Sequence, residues 1–454
     1  MSINRIKQKT LLVITHSYKP LLNPRAFRWS AILEEWAKDG TKIDLITSWQ
    51  PGLAREEIIN DVHIFRVNDS LIEKLRSKLI KSDRKTTSKK TINQPQNSLK
   101  LKKIAKSFLQ TLHDQTWKNL YWPDYATLWK KTAIKNAEYL LDREHYDTLI
   151  TISDPFTSHV VGYKLKEKYP HLQWLVDIGD PFCFRHDTPT NNHLLYKKKN
   201  YKTERNIFAK ADYVSVTTDT TKEKYAQLFP ESAHKIKVIP PLMAPSQKVQ
   251  TNKINTPYSK LKLVYIGTLY KAIRNPNYLM RLFDTIQKQT STNDIELHFY
   301  GGINDCHAEF ESYRHLKNKN LFLHGLVPRE EVLQAMEDAA VLVNIGNDNI
   351  YQLPSKIVEY VITGKPIINI VKLANDSSTQ FLANYPAKII INDTSQSIFE
   401  DELTKCLQFI QNLPSDVSQQ ERKFWQNKFS PQTITKQYKD FFAPSTQRET
   451  EVVS

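Results

Sequence analysis

Ser355, Lys356 and Glu359 share one face of a short predicted helix, since Glu359 follows Lys356 by three residues and Ser355 by four. Ser355 and Lys356 fall in the first turn, where unpaired backbone N–H groups and the positive end of the helix dipole favour an anion. A phosphate at that mouth leaves Glu359 one turn deeper, at the level of sugar hydroxyls. The layout suits a nucleoside diphosphate. The same residues would also make a plain surface helix carrying a Lys356–Glu359 pair. The helix itself is legible around them. Pro354 fits a first helical position, because its fixed φ is helical and its missing N–H would be unpaired there. Ile357, Val358, Val361 and Ile362 give an apolar stripe at helical spacing. Gly364 stops the helix, Pro366 prevents its return, and Ile367, Ile368 and Ile370 enter a β-branched strand.

Such a helix needs a sheet behind it. Apolar strand-like runs alternate with helical periods on both sides of a polar stretch at 244–260, so each half reads as a parallel α/β unit. In the first half the spacing predicts strands at Leu11–Thr15, Lys42–Thr47, Val62–Val67, Thr148–Ile152, Trp174–Ile178, Tyr213–Thr217 and Lys237–Ile239. Helices are predicted at Phe27–Asp39, Trp122–Leu141, Ser158–Lys168, Asn200–Ala209 and Thr221–Leu228. The expected division is 1–245, a linker at 246–260, a second domain at 261–430 and a terminal helix and tail at 431–454. The chain has only 10 glycines, and five of them (Gly267, Gly301, Gly302, Gly325 and Gly346) follow or end apolar runs in the second half. Carboxyl ends of strands are where open α/β sheets bind ligands.

Composition narrows the partner. The 454 residues carry a net charge of +16, which points to an anionic substrate or surface. Eleven lysines and arginines against Glu73 and Asp83 place nine of those charges in an insert at about 71–105. Its flanks, Leu71–Ile80 and Leu99–Leu112, alternate lysine with Leu, Ile and Phe as interfacial helices do, so an anionic membrane surface is an expected partner. No aromatics interleave these charges, and nucleic acid is not expected. Cys183, Cys306 and Cys406 stand far apart, against a disulfide framework or a structural zinc site and for a reducing, cytoplasmic compartment. No apolar run is long enough to span a bilayer, and Leu11–Ile14 is too short for a signal-peptide core.

Several fragments, in order, resemble one family. They are Val13-Ile-Thr-His16 with Arg25 and Arg28; Ser153-Asp-Pro-Phe-Thr-Ser-His159 with Trp174-Leu-Val-Asp-Ile-Gly-Asp-Pro-Phe182; Ala209-Lys-Ala-Asp-Tyr-Val-Ser-Val216; Val264-Tyr-Ile-Gly-Thr268 with Arg274-Asn-Pro276; and Pro354-Ser-Lys-Ile-Val-Glu-Tyr360 with Gly364-Lys-Pro366. Together they are similar to the family-4 glycosyltransferases, nucleotide-sugar enzymes that build bacterial surface polysaccharides and glycolipids. The resemblance covers most of the chain outside the insert and the tail. It implies a GT-B fold: α/β, two doubly wound Rossmann-like domains with a cleft between them.

Roles follow from the resemblance by position. Glu359 matches the second acid of an E-x7-E motif that holds the nucleotide ribose, while Tyr351 replaces the first. Lys271 and Arg274 are the candidate diphosphate cations, and Gly267 and Thr268 form the turn where backbone approaches phosphate. Asp180, with Asp154 second to it, is expected to position an acceptor hydroxyl or act as base. His16, Arg25 and Arg28 lie on the acceptor side, with one arginine expected on the helix surface. His159 falls inside a helix and is expected to be packed. No Asp-x-Asp pair stands at a strand end, so no essential metal is expected, and the co-substrate is the nucleotide diphosphate sugar itself. The acceptor is expected to be lipid-linked or a saccharide, and the family implies retention of anomeric configuration. Two other readings stand beside this one: a nucleotide-sugar epimerase of the same fold, and a donor-binding scaffold without turnover, to which Tyr351 would be the clue.

Overall fold

The computed structural model describes residues 9–21, 23–68, 120–186, 188–243, 260–290, 294–393 and 399–441. The expected insert at 71–105, the tail and all of the expected linker but Lys260 lie outside the described residues. The chain divides into two compact units, Met1–Val216 with Lys222–Val238, and Thr217–Thr221 with Ile239–Ser454.

The first unit runs β1 (Thr10–Thr15), α1 (Pro24–Lys38), β2 (Lys42–Ser48), β3 (Glu56–Ile59), β4 (Val62–Val67), α2 (Lys130–Leu141), β5 (Thr148–Ile152), α3 (Thr157–Lys168), β6 (Gln173–Asp177), α4 (His193–Lys210), β7 (Tyr213–Val216), α5 (Asp219–Leu228) and β8 (Ile236–Val238). Its sheet has the order β3-β4-β2-β1-β5-β6-β7-β8. Every pair is parallel except β3 with β4. That exception is a hairpin through Asn60 and Asp61, both at positive φ (49° and 61°), the backbone a two-residue turn between twisted strands requires. The central strands β1 and β5 are buried nearly end to end, as a sheet covered on both faces must be.

The second unit runs β9 (Leu261–Ile266), α6 (Asn277–Thr290), β10 (Ile295–Tyr300), α7 (His307–Glu311), β11 (Leu321–Gly325), α8 (Arg329–Asp338), β12 (Val341–Ile345), α9 (Lys356–Thr363), β13 (Ile367–Val371), α10 (Ser377–Phe381), β14 (Lys388–Asn392), α11 (Phe399–Gln411), α12 (Gln419–Lys428) and α13 (Pro431–Lys439). Its sheet, β11-β10-β9-β12-β13-β14, is wholly parallel. One core packs Leu297, Phe299 and Phe283 with Leu403, and a second packs Val264, Ile266, Val358 and Tyr360 with Trp425. Both units are doubly wound α/β, as expected. Strand order reverses between β1 and β5 in one and between β9 and β12 in the other, and such switch points open a crevice at the carboxyl ends.

Two helices depart by about two turns from their predicted starts, while α1 begins three residues early, at Pro24. The helix expected at Trp122–Leu141 begins only at Lys130. Pro123 follows a cis bond, and the Asp124 carboxylate accepts from Ala126 N at 2.9 Å, a local bond that competes with helix. The helix expected at Asn200–Ala209 begins earlier, at His193, because Asn192 caps it by accepting from Leu195 N at 3.1 Å. All three cysteines are reduced and buried. Among the described residues no helix is long and apolar enough to cross a membrane, and no group of three His, Cys, Asp or Glu could hold a metal ion.

Candidate functional site

In the second unit the chain turns at the end of β9 through Gly267, at φ 153°. A Cβ there would stand 3.0 Å from Tyr265 Oη and 3.5 Å from Arg274 Nη1, so the close packing of this turn depends on the missing side chain. Arg274 folds back over the turn. Its Nε donates to Asn347 Oδ1 at 2.6 Å, and Nη1 lies 3.5 Å from Thr268 O. Asn347 follows β12, is buried, and passes the link on by donating Nδ2 to Gln352 O at 2.8 Å. The turn after β9 and the turn after β12, which flank the switch point, are thereby tied through one guanidinium. Lys271 is not part of this cluster: it is 60% exposed and pairs with Glu309 at 3.0 Å.

The helix α9 delivers the next group. It begins at Lys356 with Ser355 as its N-cap position, two residues later than Pro354 suggests, and ends at Gly364 in the left-handed conformation (φ 79°). The Ser355 side chain makes no capping bond. On the buried face, Tyr360 Oη accepts from Ile266 N at 2.8 Å, which fixes the helix to the last residue of β9. Burial raises the Tyr360 hydroxyl's pKa well above its usual value; the Ile266 bond opposes this, Tyr265 and Glu359 add to it, and Arg274 opposes it. The charges of Glu359 and Arg274 thus both reach one atom. On the open face, Glu359 accepts from Lys356 Nζ at 2.7 Å and from Arg329 Nη1 at 2.7 Å. The Lys356–Glu359 pair is the one helical spacing predicts. Arg329, the first residue of α8, is a third cation that spacing could not reveal. A carboxylate with about four acceptor positions keeps room for a diol after two such bonds.

The loop between β12 and α9 is held from several directions. Asn349 Oδ1 accepts from Tyr351 N at 3.2 Å and Gln352 N at 2.9 Å, and Ser377 Oγ donates to Gln352 O at 2.9 Å. Within the same unit, Thr221 Oγ1 donates to Tyr351 O at 2.9 Å and Thr220 Oγ1 to Ile350 O at 2.6 Å. The position where the family motif carries an acid is fixed here through its backbone.

In the first unit, the carboxyl ends of β1, β5 and β6 gather His16, Asp154 and Asp180. Asp154 lies between two cis bonds, to Ser153 and to Pro155. Arg185 Nη1 bridges the two aspartates, 3.4 Å from Asp154 Oδ2 and 3.3 Å from Asp180 Oδ2, while its Nε donates to Thr188 Oγ1 at 2.7 Å. Surrounding protein pushes the Asp154 carboxyl up to about 6; Arg185 opposes the shift, and Asp124 and Asp180 add to it. Its side chain still keeps 38% of its surface open, so most of the volume around it is protein while one edge meets water. The loop bearing Arg185 is anchored from below by Glu204, fully buried on α4, which accepts from Cys183 N at 2.9 Å and Tyr225 Oη at 2.6 Å.

The remaining first-unit candidates are structural neighbours of that cluster. Arg25 lies in the first turn of α1. It pairs with the buried Asp177 carboxylate and donates Nε to Ser153 O at 2.7 Å. A Cβ on Gly179 would come within 2.7 Å of that Nε, so the glycine lets the guanidinium reach its place. Asp177 also accepts from Trp29 Nε1 at 2.9 Å and Ser215 Oγ at 2.6 Å. Arg28, also on α1, is buried, so neither arginine is the surface charge expected of one of them. His16 is buried and meets Tyr125 and Trp129 edge-on, at 5.5 and 5.3 Å between ring centres. Near it Asp124, fully buried, accepts from Thr157 N at 2.8 Å and Thr157 Oγ1 at 2.7 Å. Burial raises the Asp124 carboxyl, and these bonds, with His16, hold the rise back. His159 is packed in α3 as expected, bonded through Nδ1 to Thr151 Oγ1 at 2.8 Å, and burial pushes it down to about 3.

Residues 260–388 match the family model described as Glycosyl transferases group 1. No curated protein matches the chain in sequence. Solved structures resemble it in fold. A glycosyltransferase from Rickettsia africae superposes with a TM-score of 0.57 at 12% identity, over 97% of this chain and 100% of that one. HepE of Anabaena, in complex with UDP, gives 0.59 at 13% identity, over 96% and 99%. A putative UDP-N-acetylglucosamine 2-epimerase from Listeria monocytogenes gives 0.54 at 11% identity, over 95% of each. The architecture is that of the GT-B glycosyltransferases.

Proposed function

We propose that the chain transfers a sugar from a nucleoside diphosphate sugar to a lipid-linked or saccharide acceptor in the assembly of a surface polysaccharide, as a family-4 enzyme that needs no metal and retains anomeric configuration. The observation that carries this reading is local. The stretch matched by the group 1 glycosyltransferase model contains Gly267, Thr268, Arg274, Lys356 and Glu359, of which the first three follow the carboxyl end of β9 and the last two lie in the first turn of α9. Lys356 and Arg329 share one carboxylate, Glu359, while Arg274 is bonded to the neutral oxygens of Asn347 and Thr268, and this excess of positive charge suits a diphosphate.

In this reading Glu359 accepts from the ribose hydroxyls. Arg274, Lys356 and the first amides of α9 hold the diphosphate. As the bond from the sugar's anomeric carbon to the diphosphate oxygen breaks, negative charge gathers on that oxygen, and these groups stabilise it more than they stabilise the bound donor. The acceptor oxygen forms the new bond to the anomeric carbon. Asp180, with Asp154, orients the acceptor hydroxyl and takes its proton. The work is expected at the cytoplasmic face of a membrane, with anionic lipid as a partner.

A thermal-shift panel of UDP, GDP, ADP and CDP tests donor binding first, since a ligand that binds only the folded state raises its melting temperature. One nucleotide should raise it clearly, and release of that nucleotide from its sugar should then require an acceptor. No shift with any of the four removes the donor site. A second reading rests on Tyr351 in the place of an acid: a donor-binding scaffold, which would give the shift but no turnover with any acceptor. Conversion of the sugar without acceptor would instead mark an epimerase.

A further inference from the structure

The start of α4 is built unlike its remainder. Asn200, Glu204, Ile207 and Phe208 turn inward and are buried, whereas Leu194 is 94% exposed and Leu195 62%. A third leucine joins them. Tyr196 Oη donates to Leu120 O at 2.9 Å and Trp122 Nε1 donates to Asn200 Oδ1 at 2.9 Å, which sets Leu120, itself 67% exposed, beside these turns. Single exposed leucines are ordinary; three brought together by hydrogen bonds form a patch.

Lysines surround it. Lys197, Lys198 and Lys202 are exposed on α4, Lys199 Nζ sits 3.8 Å over the Trp122 ring, and Lys130 and Lys131 open α2. Among the described residues none of these six forms an ion pair. Those of the neighbouring α3 do: Lys164 pairs with Glu167, Lys166 with Asp212 and Lys168 with Glu138. The Lys130 ammonium has its pKa lowered by burial and then by Lys199, Lys131 and Lys164, so the positive charges here reinforce one another. Uncompensated lysines around protruding leucines match a bilayer surface, with phosphates at one depth and acyl chains just below. A nucleic acid would take the lysines but leave Leu194 and Leu195 in water.

We infer that the first turns of α4, with Leu120 and the start of α2, dock on an anionic lipid bilayer, the leucines entering the acyl boundary and the lysines meeting lipid phosphates. This rests on the proposed function only in that a lipid-linked acceptor would lie at the same surface. Its test needs neither donor nor acceptor, so the two readings fail separately. The intact chain is sedimented with mixed phosphatidylcholine–phosphatidylglycerol vesicles and with pure phosphatidylcholine vesicles, at low and high salt. Binding to the mixed vesicles, weakened by salt, is expected. Lys197→Gln/Lys198→Gln/Lys202→Gln should lower that affinity by roughly a hundredfold, from the loss of three surface lysines. Leu194→Ser/Leu195→Ser should remove the part that survives high salt. All five side chains are exposed, so the variants should fold, and melting curves check this. Wild-type binding by both variants would overturn the inference, as would binding to RNA that is tighter than binding to the mixed vesicles. A dimer that disperses on Leu194→Ser/Leu195→Ser would also overturn it, by showing a second copy on the patch.

Discussion

The two units share a fold and place charged side chains at equivalent ends of their sheets, yet they treat those charges oppositely. In the first unit the arginines are consumed by acids: Arg25 by Asp177, and Arg185 by Asp154 and Asp180 together. In the second, Arg274 is held by neutral oxygens, those of Asn347 and Thr268, and among the described residues no carboxylate pairs with it. Lys356 and Arg329 share a single carboxylate. One sheet end is therefore balanced or slightly negative, suited to hydroxyls and protons, and the other is positive, suited to phosphate. The difference shows that a doubly wound sheet supplies only the crevice, and the partners of its arginines decide what the crevice holds.

Removing a charge from each end should therefore break different properties. The largest effect is expected from Arg25→Ala, which strands the buried Asp177 carboxylate and should cost about 3 kcal/mol of stability in urea denaturation. Arg274→Ala and Lys356→Ala should instead leave the urea midpoint close to wild type and lower kcat/KM by roughly a hundredfold, the scale of one lost transition-state contact. If Arg274→Ala unfolds the chain and Arg25→Ala does not, the contrast is reversed. Glu359→Ala should weaken nucleotide binding by about 1–3 kcal/mol, read by calorimetry, because charged hydrogen bonds are lost while the apolar face of α9 is kept. Arg329→Gln should have a smaller effect in the same direction, since Lys356 still orients the carboxylate.

The smallest effect concerns Asp154. Its folded-state pKa of about 6 lies above the ordinary 3.8, so the folded chain binds the extra proton in between. Stability is then greatest below about pH 4 for this group and is lost as pH rises through about 6. With 38% of the side chain open to water, screening limits the loss to about 1 kcal/mol. Denaturation of wild type and Asp154→Asn across that window should show the slope in the first only. Equal slopes would place the carboxyl in ordinary solvent.

Much of this is legible in the sequence. Alternating apolar periods predict both parallel sheets, and scarce glycines mark the ends of β9, β10, β11 and β12 alike without singling out the switch point. The α9 helix, its Gly364 stop and its Lys356–Glu359 pair all followed from local spacing. What escaped was set by distance along the chain. Arg329 reaches Glu359 across 30 positions and Arg25 reaches Asp177 across 152, and no periodicity links such pairs. Arginine in an amphipathic helix reads as a surface charge until its buried acid is known. Arg185 was invisible for the same reason, because its role depends on two aspartates from separate strand ends. The hairpin at Asn60 and Asp61 did carry a turn signal, but β3 is short and half exposed, so its alternation was weak.

The three cysteines have a practical consequence. Cys183, Cys306 and Cys406 are 6%, 0% and 1% exposed, and burial first of all raises each thiol, Cys306 up to about 11 and Cys406 up to about 12. Alkylating reagents attack the thiolate, and almost none forms at such sites near neutral pH. A single cysteine introduced at an exposed position, such as Leu194 or Lys271, would therefore take a maleimide fluorophore against a silent background. Ligand-induced changes could then be followed by emission in a chain that keeps all of its native sulfur.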